Sequence, residues 1–227
     1  MTRQTFDQEL QRLEDEVLSM GKMVGNALIR SVASLKAQDL DASRALIAAD
    51  AQINQRRFSL EEEVLTLIAT QQPMAGDMRL LAAVLEILTE LERIGDYAKG
   101  IARINLMIGD EPLIKPLVDL PVMAQKANDM LHDALQAFRE RNVELARAIP
   151  GRDDEVDNLY DQIYRELISY ILENPTTIEQ ANLLMWAAHN LERTADRTIN
   201  LCERVIFMVT GELSELDSDA RGLPGVS

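Results

Sequence analysis

Leu91-Glu92-Arg93-Ile94-Gly95-Asp96 returns 100 residues later as Leu191-Glu192-Arg193-Thr194-Ala195-Asp196. Asp50-Ala51-Gln52-Ile53-Asn54 returns as Asp153-Asp154-Glu155-Val156-Asp157 at an offset of 103. Two motifs repeated in the same order at nearly the same spacing mark an internal duplication, with the change of offset falling in the turn between them. The fold is therefore a doubled unit, and the pattern around the motifs says what the unit is.

Upstream of the first motif, apolar residues recur at helical spacing through Phe6, Leu10, Leu13, Val17, Met20, Val24, Ala27, Leu28 and Leu35. The pattern stops near Asp39-Leu40-Asp41, where Asp41 is expected to cap a second helix. That helix runs to about Thr70 through Leu46, Ala49, Ile53, Leu60, Val64 and Leu67. Pro73 and Gly76 punctuate a turn at residues 72–77, and a third helix follows to about Ile108. Asp77 and Arg79 are placed to cap and brace it. Residues 112–121 hold three prolines and read as a linker. Three further helices are expected, from about Val122 to Glu140, Arg152 to Glu173 and Thr177 to Thr210, the last two joined at Asn174-Pro175. The reading is an all-α chain of two tandem three-helix bundles related by internal duplication, over residues 1–111 and 122–211. The aperiodic tail 212–227 is expected to be disordered.

Composition agrees. Of 227 residues 47% are apolar and only 4% aromatic, and the Leu, Ala, Ile, Met, Glu and Arg that dominate suit helix packing on helix. The formal net charge of −15 argues against nucleic acid or an anionic membrane surface as partner and favours cations and basic protein patches. No apolar run approaches the ~20 residues that span a bilayer. The polar N-terminus lacks a signal-peptide core, and a lone Cys202 excludes an intrachain disulfide. A cytoplasmic protein is expected, reaching a membrane only through partners.

Each repeat carries two oxygen-bearing pairs spaced i, i+4, which places both members on one helix face: Asp50/Asn54 with Glu92/Asp96, and Asp153/Asp157 with Glu192/Asp196. Residues equally far from a tight turn lie level on antiparallel helices. Asp50/Asp96 and Asn54/Glu92 both centre on Pro73, and Asp153/Asp196 and Asp157/Glu192 both centre between Asn174 and Pro175. The pairs therefore face each other across two hairpins, about 30 Å from each tip. At 100° per residue they fall on the helix shoulders, which predicts open surface patches. Four clustered oxygen ligands repel unless a hard cation such as Mg²⁺, Ca²⁺, Mn²⁺ or iron neutralises them. Any single acidic pair is ordinary solvated surface, and Arg93 and Arg193 are rival partners. The level, repeated arrangement is what favours metal.

Other residues carry less. His189 lies one turn before Glu192, but its counterpart is Thr89, so no symmetric histidine ligand exists. His132 has no evident polar partner. Cys202 reads as core filler, and Trp186 and the methionines as packing. No catalytic triad, P-loop or dinucleotide-binding glycine pattern appears.

The two Leu-Glu-Arg motifs, the segment Gln72-Pro73-Met74-Ala75-Gly76-Asp77-Met78-Arg79 and the companion acidic motifs at 50–54 and 153–157 resemble the PhoU family, the phosphate-transport accessory and phosphate-response regulators. The resemblance spans about Phe6 to Gly211. It implies two three-helix bundles in pseudo-twofold relation, with multinuclear iron or zinc clusters, or magnesium or manganese, on the acidic motifs. It also implies a homodimer that represses the phosphate-starvation response by coupling the ATPase of a phosphate ABC transporter to a sensor histidine kinase. Two positions depart from the family pattern: Ala195 replaces a common glycine, and Asn54 stands at an acidic position, which predicts weaker metal binding at the first site. Equal loss of metal from Glu92→Ala and Glu192→Ala would contradict that. Service to a low-affinity phosphate permease is the milder alternative. A ferritin-like di-metal enzyme would need Glu-x-x-His, whereas Gly95 and Ala195 stand three residues after the glutamates, so no enzymatic activity is expected.

Overall fold

The computed structural model describes residues 3–216. Among them the helices are α1 (Arg3–Ala37), α2 (Leu40–Gln71), α3 (Ala75–Ile108), α4 (Asp119–Glu140), α5 (Val143–Ala148), α6 (Asp153–Glu173) and α7 (Ile178–Thr210), with one-turn 3-10 segments at Pro150–Arg152 and Pro175–Thr177. The fold class is the expected one.

The first unit is α1–α3 and the second α4–α7, but the two are not separate bundles with separate cores. α3 packs along α7 more extensively than any other pair, and α1 lies against α4. α2 and α6 flank this central layer, each resting on the long helix that follows it. Leu13 and Leu28 of α1, Leu81 and Ile94 of α3, Met123 and Phe138 of α4, and Leu191 and Val205 of α7 all belong to one continuous buried cluster. Two small residues let α1 and α4 approach. A Cβ on Gly21 would sit 2.3 Å from Leu135 Cδ1, and one on Gly25 2.5 Å from Asn128 Oδ1.

The duplication extends into the turns. Gln38 (φ 52°) and Arg141 (φ 53°), 103 positions apart, both take the left-handed conformation that ends the first helix of each unit. The next amide reaches back to the helix in each, Asp39 N–H to Ser34 C=O and Asn142 N–H to Ala137 C=O, both at 2.9 Å. Asp39 and Asn142 then cap the following helices, accepting from Ala42 N–H at 2.9 Å and Leu145 N–H at 3.0 Å. The cap of α2 is thus Asp39, because its extended backbone (φ −81°, ψ 94°) aims the carboxylate at the orphan amides. Asp41, expected in that role, sits exposed in the first turn.

Two further boundaries differ from expectation. The second unit contains the extra helix α5, the counterpart of the start of α2. Pro150 stands where α2 has Ile47, and a proline removes an amide donor and clashes with the preceding turn, so the long helix breaks into α5 and α6. The linker is also shorter than residues 112–121, since α4 begins at Asp119 and tolerates Pro121 within its first turn. The remainder is pinned: Ile114 N–H donates to Gln180 Oε1 at 2.6 Å, and buried Lys115 pairs with Glu166. Residues 211–216 carry no regular element, but Leu216 packs on the core and its N–H donates to Glu203 Oε1 at 2.8 Å, so the tail is anchored at its start. The rest of the tail expected to be disordered, 217–227, lies outside the described residues.

Candidate functional site

The hairpin register is as the midpoints require. In the first unit Lys99, on α3, donates from Nζ to Asp50 Oδ2 across the hairpin at 2.6 Å and to Asp96 Oδ1 at 3.3 Å, so Asp50 and Asp96 share one ammonium. Asn54 Nδ2 lies 3.4 Å from the same Asp50 oxygen. Arg57, on α2, lies 3.5 Å from Glu92 Oε2 and also holds Glu61 at 2.7 Å. All four predicted residues are drawn together, with two basic side chains among them. Its hydrogen bond to Asp50 holds the Lys99 ammonium above the ordinary lysine range. Burial and the nearby Asp96 push the Glu92 carboxyl up, with Arg57 and Arg93 opposing.

The second unit brings Asp153, Asp157, Glu192 and Asp196 together with neither Lys99 nor Arg57 at the equivalent positions. Burial pushes the Asp153 carboxyl up to about 7, helped by the charges of Asp157, Asp196 and Glu192. Glu192 is likewise pushed up to about 7, by burial and then by Asp196, against the opposing pull of Arg193. Asp153 Oδ1 is buried and has no hydrogen-bond partner. At the rim, Arg193 Nη1 lies 3.1 Å from Asp196 Oδ2 and His189 Nδ1 3.2 Å from Glu192 Oε2. Among the described residues, no three carboxylate, imidazole or thiol groups are closed into a shell that would hold an ion. Neighbouring carboxylates of like charge repel one another, which holds this set open.

The expectation of wholly open shoulder patches is corrected. Asp50 is only 5% exposed and Asp153 only 1%, although Asp96 is exposed and the remaining members are half-buried. Helical angle alone places these residues on a shoulder; packing of α2 on α3 and of α6 on α7 then covers the innermost member of each set. Both units keep buried oxygens without a hydrogen-bond partner, Asp50 Oδ1 and Asn54 Oδ1 in the first and Asp153 Oδ1 and Glu192 Oε2 in the second, and the all-carboxylate donor set of the second unit fits a hard cation. That of the first unit already holds a cation.

Lys99 and Arg57 escaped the sequence reading, although aligning the repeats exposes them: their counterparts are Ile199 and Tyr160. Arg193 does pair with Asp196, as its rival role suggested. His189 is half-exposed as expected, but it touches Glu192 and its ring lies 6.2 Å from that of Tyr160, so it belongs to the edge of the second site. His132 has a partner after all in Asp133, at 3.3 Å. Trp186 is not packing: it is 67% exposed and lines an open surface hollow with Ile104, Met107 and Leu183. Cys202 is fully buried, and burial pushes its thiol up to about 12. Asp77 accepts from Met74 N–H at the start of α3 and from Arg3. Arg79 reaches the end of α7 at Met208 C=O, 3.4 Å away. Among the described residues no helix is long and apolar enough to cross a membrane.

The family model described as PhoU domain matches this chain twice, over residues 17–104 and 120–205, each match containing one acidic hairpin. The chain belongs to the PhoU family. A "phosphate-specific transport system accessory protein PhoU homolog" of Clostridium acetobutylicum is 34% identical over 218 residues, covering 96% of this chain and all of the relative. The Escherichia coli "phosphate-specific transport system accessory protein PhoU" is 33% identical over 207 residues, 91% of this chain and 86% of that one. The crystal structure of PhoU from Pseudomonas aeruginosa superposes with a TM-score of 0.85 at 31% identity, covering 91% of this chain and all of that one. PhoU relatives so named are transport-system accessory proteins, and the shared architecture includes both repeats.

Proposed function

We propose that this chain is a negative regulator of the phosphate-starvation response and of phosphate uptake. It acts as a non-enzymatic, metal-binding adaptor that couples the ATPase of a phosphate ABC transporter to a sensor histidine kinase. The observation that carries the reading is the end-to-end match to relatives named as accessory proteins of phosphate-specific transport. The net charge of −15 supports basic surfaces on protein partners rather than nucleic acid. In this reading the protein is cytoplasmic, works as a homodimer and meets the membrane only through its partners.

Metal binding is part of the proposal. Asp153 and Asp157 from α6 with Glu192 and Asp196 from α7 would hold a hard cation; Asp50, Asn54, Glu92 and Asp96 are the equivalent positions of the first unit, where the Lys99 ammonium already stands between Asp50 and Asp96. Iron or zinc clusters are the family expectation, magnesium or manganese the simpler one. A bound cation would offset carboxylate charge beyond what Arg193 supplies to the second set. The residues would then tie α6 to α7 at a fixed spacing, so that hairpin shape and residual surface charge follow ion occupancy. Partners would read either. Chelation that leaves both helix packing and partner affinity unchanged would disprove this coupling.

A phosphate-starvation reporter, such as secreted alkaline phosphatase, in cells lacking this gene and grown in ample phosphate tests the regulatory reading. High reporter activity, returned to low by the wild-type gene, is the expected result. A reporter that stays low argues for service to transport without signalling.

A further inference from the structure

The two acidic sites have diverged at three positions of the repeat. Lys99 follows Asp96 by three residues on α3; its counterpart after Asp196 is Ile199, buried and uncharged. Arg57 follows Asn54 by three residues on α2; its counterpart after Asp157 is Tyr160. The first site thus gains two positive charges and, through Asn54, loses one negative charge relative to the second. Placement agrees with the count. Lys99 Nζ stands 2.6 Å from the buried Asp50 and 3.3 Å from Asp96, bridging the two helices of the hairpin where a shared cation would stand. Oδ1 is buried without a hydrogen-bond partner in both Asp50 and its equivalent Asp153, so what separates the sites is the ammonium on Asp50 Oδ2, for which the second repeat has Ile199.

We propose that Lys99 is a built-in cation that takes the place of metal in the first unit, so that the chain takes up metal at the second acidic site alone. The inference rests on the metal-binding reading of the second site. An ammonium donates up to three hydrogen bonds and neutralises one carboxylate. A divalent ion entering beside it would meet like-charge repulsion and would have to displace it from a buried partner, which leaves a poor site. The first hairpin is then locked at every ion concentration, and the second alone responds to ion supply.

Mn²⁺ titrated into the full-length, chelator-stripped protein, with the free ion read by electron paramagnetic resonance, decides the matter. Asp153→Asn with Glu192→Gln is expected to abolish uptake, and Glu92→Gln with Asp96→Asn to leave it at the wild-type amount. Lys99→Met, which keeps the apolar stem, is expected to add a second class of bound Mn²⁺ that Glu92→Gln with Asp96→Asn removes. Equal loss from the two double variants, or no new class in Lys99→Met, overturns the proposal. If the wild type takes up no Mn²⁺, the metal reading fails, and thermal melting judges what remains of the role of Lys99. Lys99→Met is then expected to lower the melting temperature by roughly 5 °C, with Asp50→Asn in the same chain restoring most of it. A Lys99→Met chain that melts with the wild type overturns the inference whatever the second site binds.

Discussion

Arg197 and Tyr97 are counterparts in the two repeats, and they meet: Arg197 Nε donates to Tyr97 Oη at 3.3 Å. On one side of this contact Asn200 Nδ2 lies 3.4 Å from Glu90 Oε2. On the other, the counterparts exchange roles, with Asn190 packed over Gly100, where a Cβ would stand 3.1 Å from its Nδ2. A residue that touches its own repeat equivalent lies on the axis relating the repeats. That axis therefore passes between α3 and α7 close to Gly95 and Ala195, and the two acidic motifs sit on either side of it.

Arg197 also lies 3.5 Å from Glu90, and both side chains are largely buried at this seam. Arg197→Ala strands the Glu90 carboxylate, and urea denaturation should show a loss of about 2–3 kcal/mol. Glu90→Gln in the same chain should recover part of it. Simple additivity of the two changes would mean that the pair is not coupled.

Asp153 and Glu192 give the metal-free protein a pH dependence of known sign. Both carboxyls are pushed up to about 7 in the folded chain, above their ordinary values of 3.8 and 4.5. Between those limits the folded state holds protons that the unfolded chain has released, so stability falls as pH rises from about 4 to about 7 and then levels. Other carboxylates, Asp77 among them, are held low by partners and act oppositely, so the difference between wild type and variant is the useful quantity. In chelator, Asp153→Asn should be more stable than wild type by about 1–3 kcal/mol at pH 7.5 and by little at pH 4. A constant difference between those pH values would remove the burial of a charged Asp153 as its cause.

Arg141 combines a left-handed backbone with an ion pair, its Nη2 lying 2.6 Å from buried Glu14 Oε1. Arg141→Gly relieves about 1 kcal/mol of backbone strain but leaves Glu14 uncompensated, for an expected net loss of about 2 kcal/mol. Glu14→Gln added to it should restore stability. Gln38→Gly relieves the same strain and loses only the hydrogen bonds from Gln38 Nε2 to Glu111 C=O, 2.6 Å, and Gly109 C=O, 3.4 Å, so it should be nearly neutral. Denaturation midpoints of the three variants check the ordering.

Trp186 is the only tryptophan, which makes its environment directly measurable. Its emission should be red-shifted and readily quenched by acrylamide, and Trp186→Ala should change stability by less than about 0.5 kcal/mol. A blue-shifted, protected tryptophan in dilute protein would mean that this side of α7 is covered.

The acidic residues themselves were legible because they repeat. Their register was legible because a tight turn fixes which residues of two antiparallel helices are level, and Pro73 and Asn174-Pro175 mark the turns. Their burial was not: helical angle locates Asp50 on a shoulder, but only the packed partner helix decides that the shoulder is covered. Helix α5 was missed for a different reason. Its six residues are too few to show a period, although Asn142 is a recognisable cap.

The sequence by itself determined the duplication, the all-helical class and the pairing of motifs across each hairpin, since helical period, turn residues and antiparallel register are local properties of the chain. Tertiary structure decided that α1, α3, α4 and α7 share one core, that Trp186 is left outside it, that Lys99 reaches across to Asp50 Oδ2, and that Oδ1 of both Asp50 and Asp153 goes unanswered. Each of these depends on which side chains from separate helices arrive at the same place, and no spacing along a single helix contains that information.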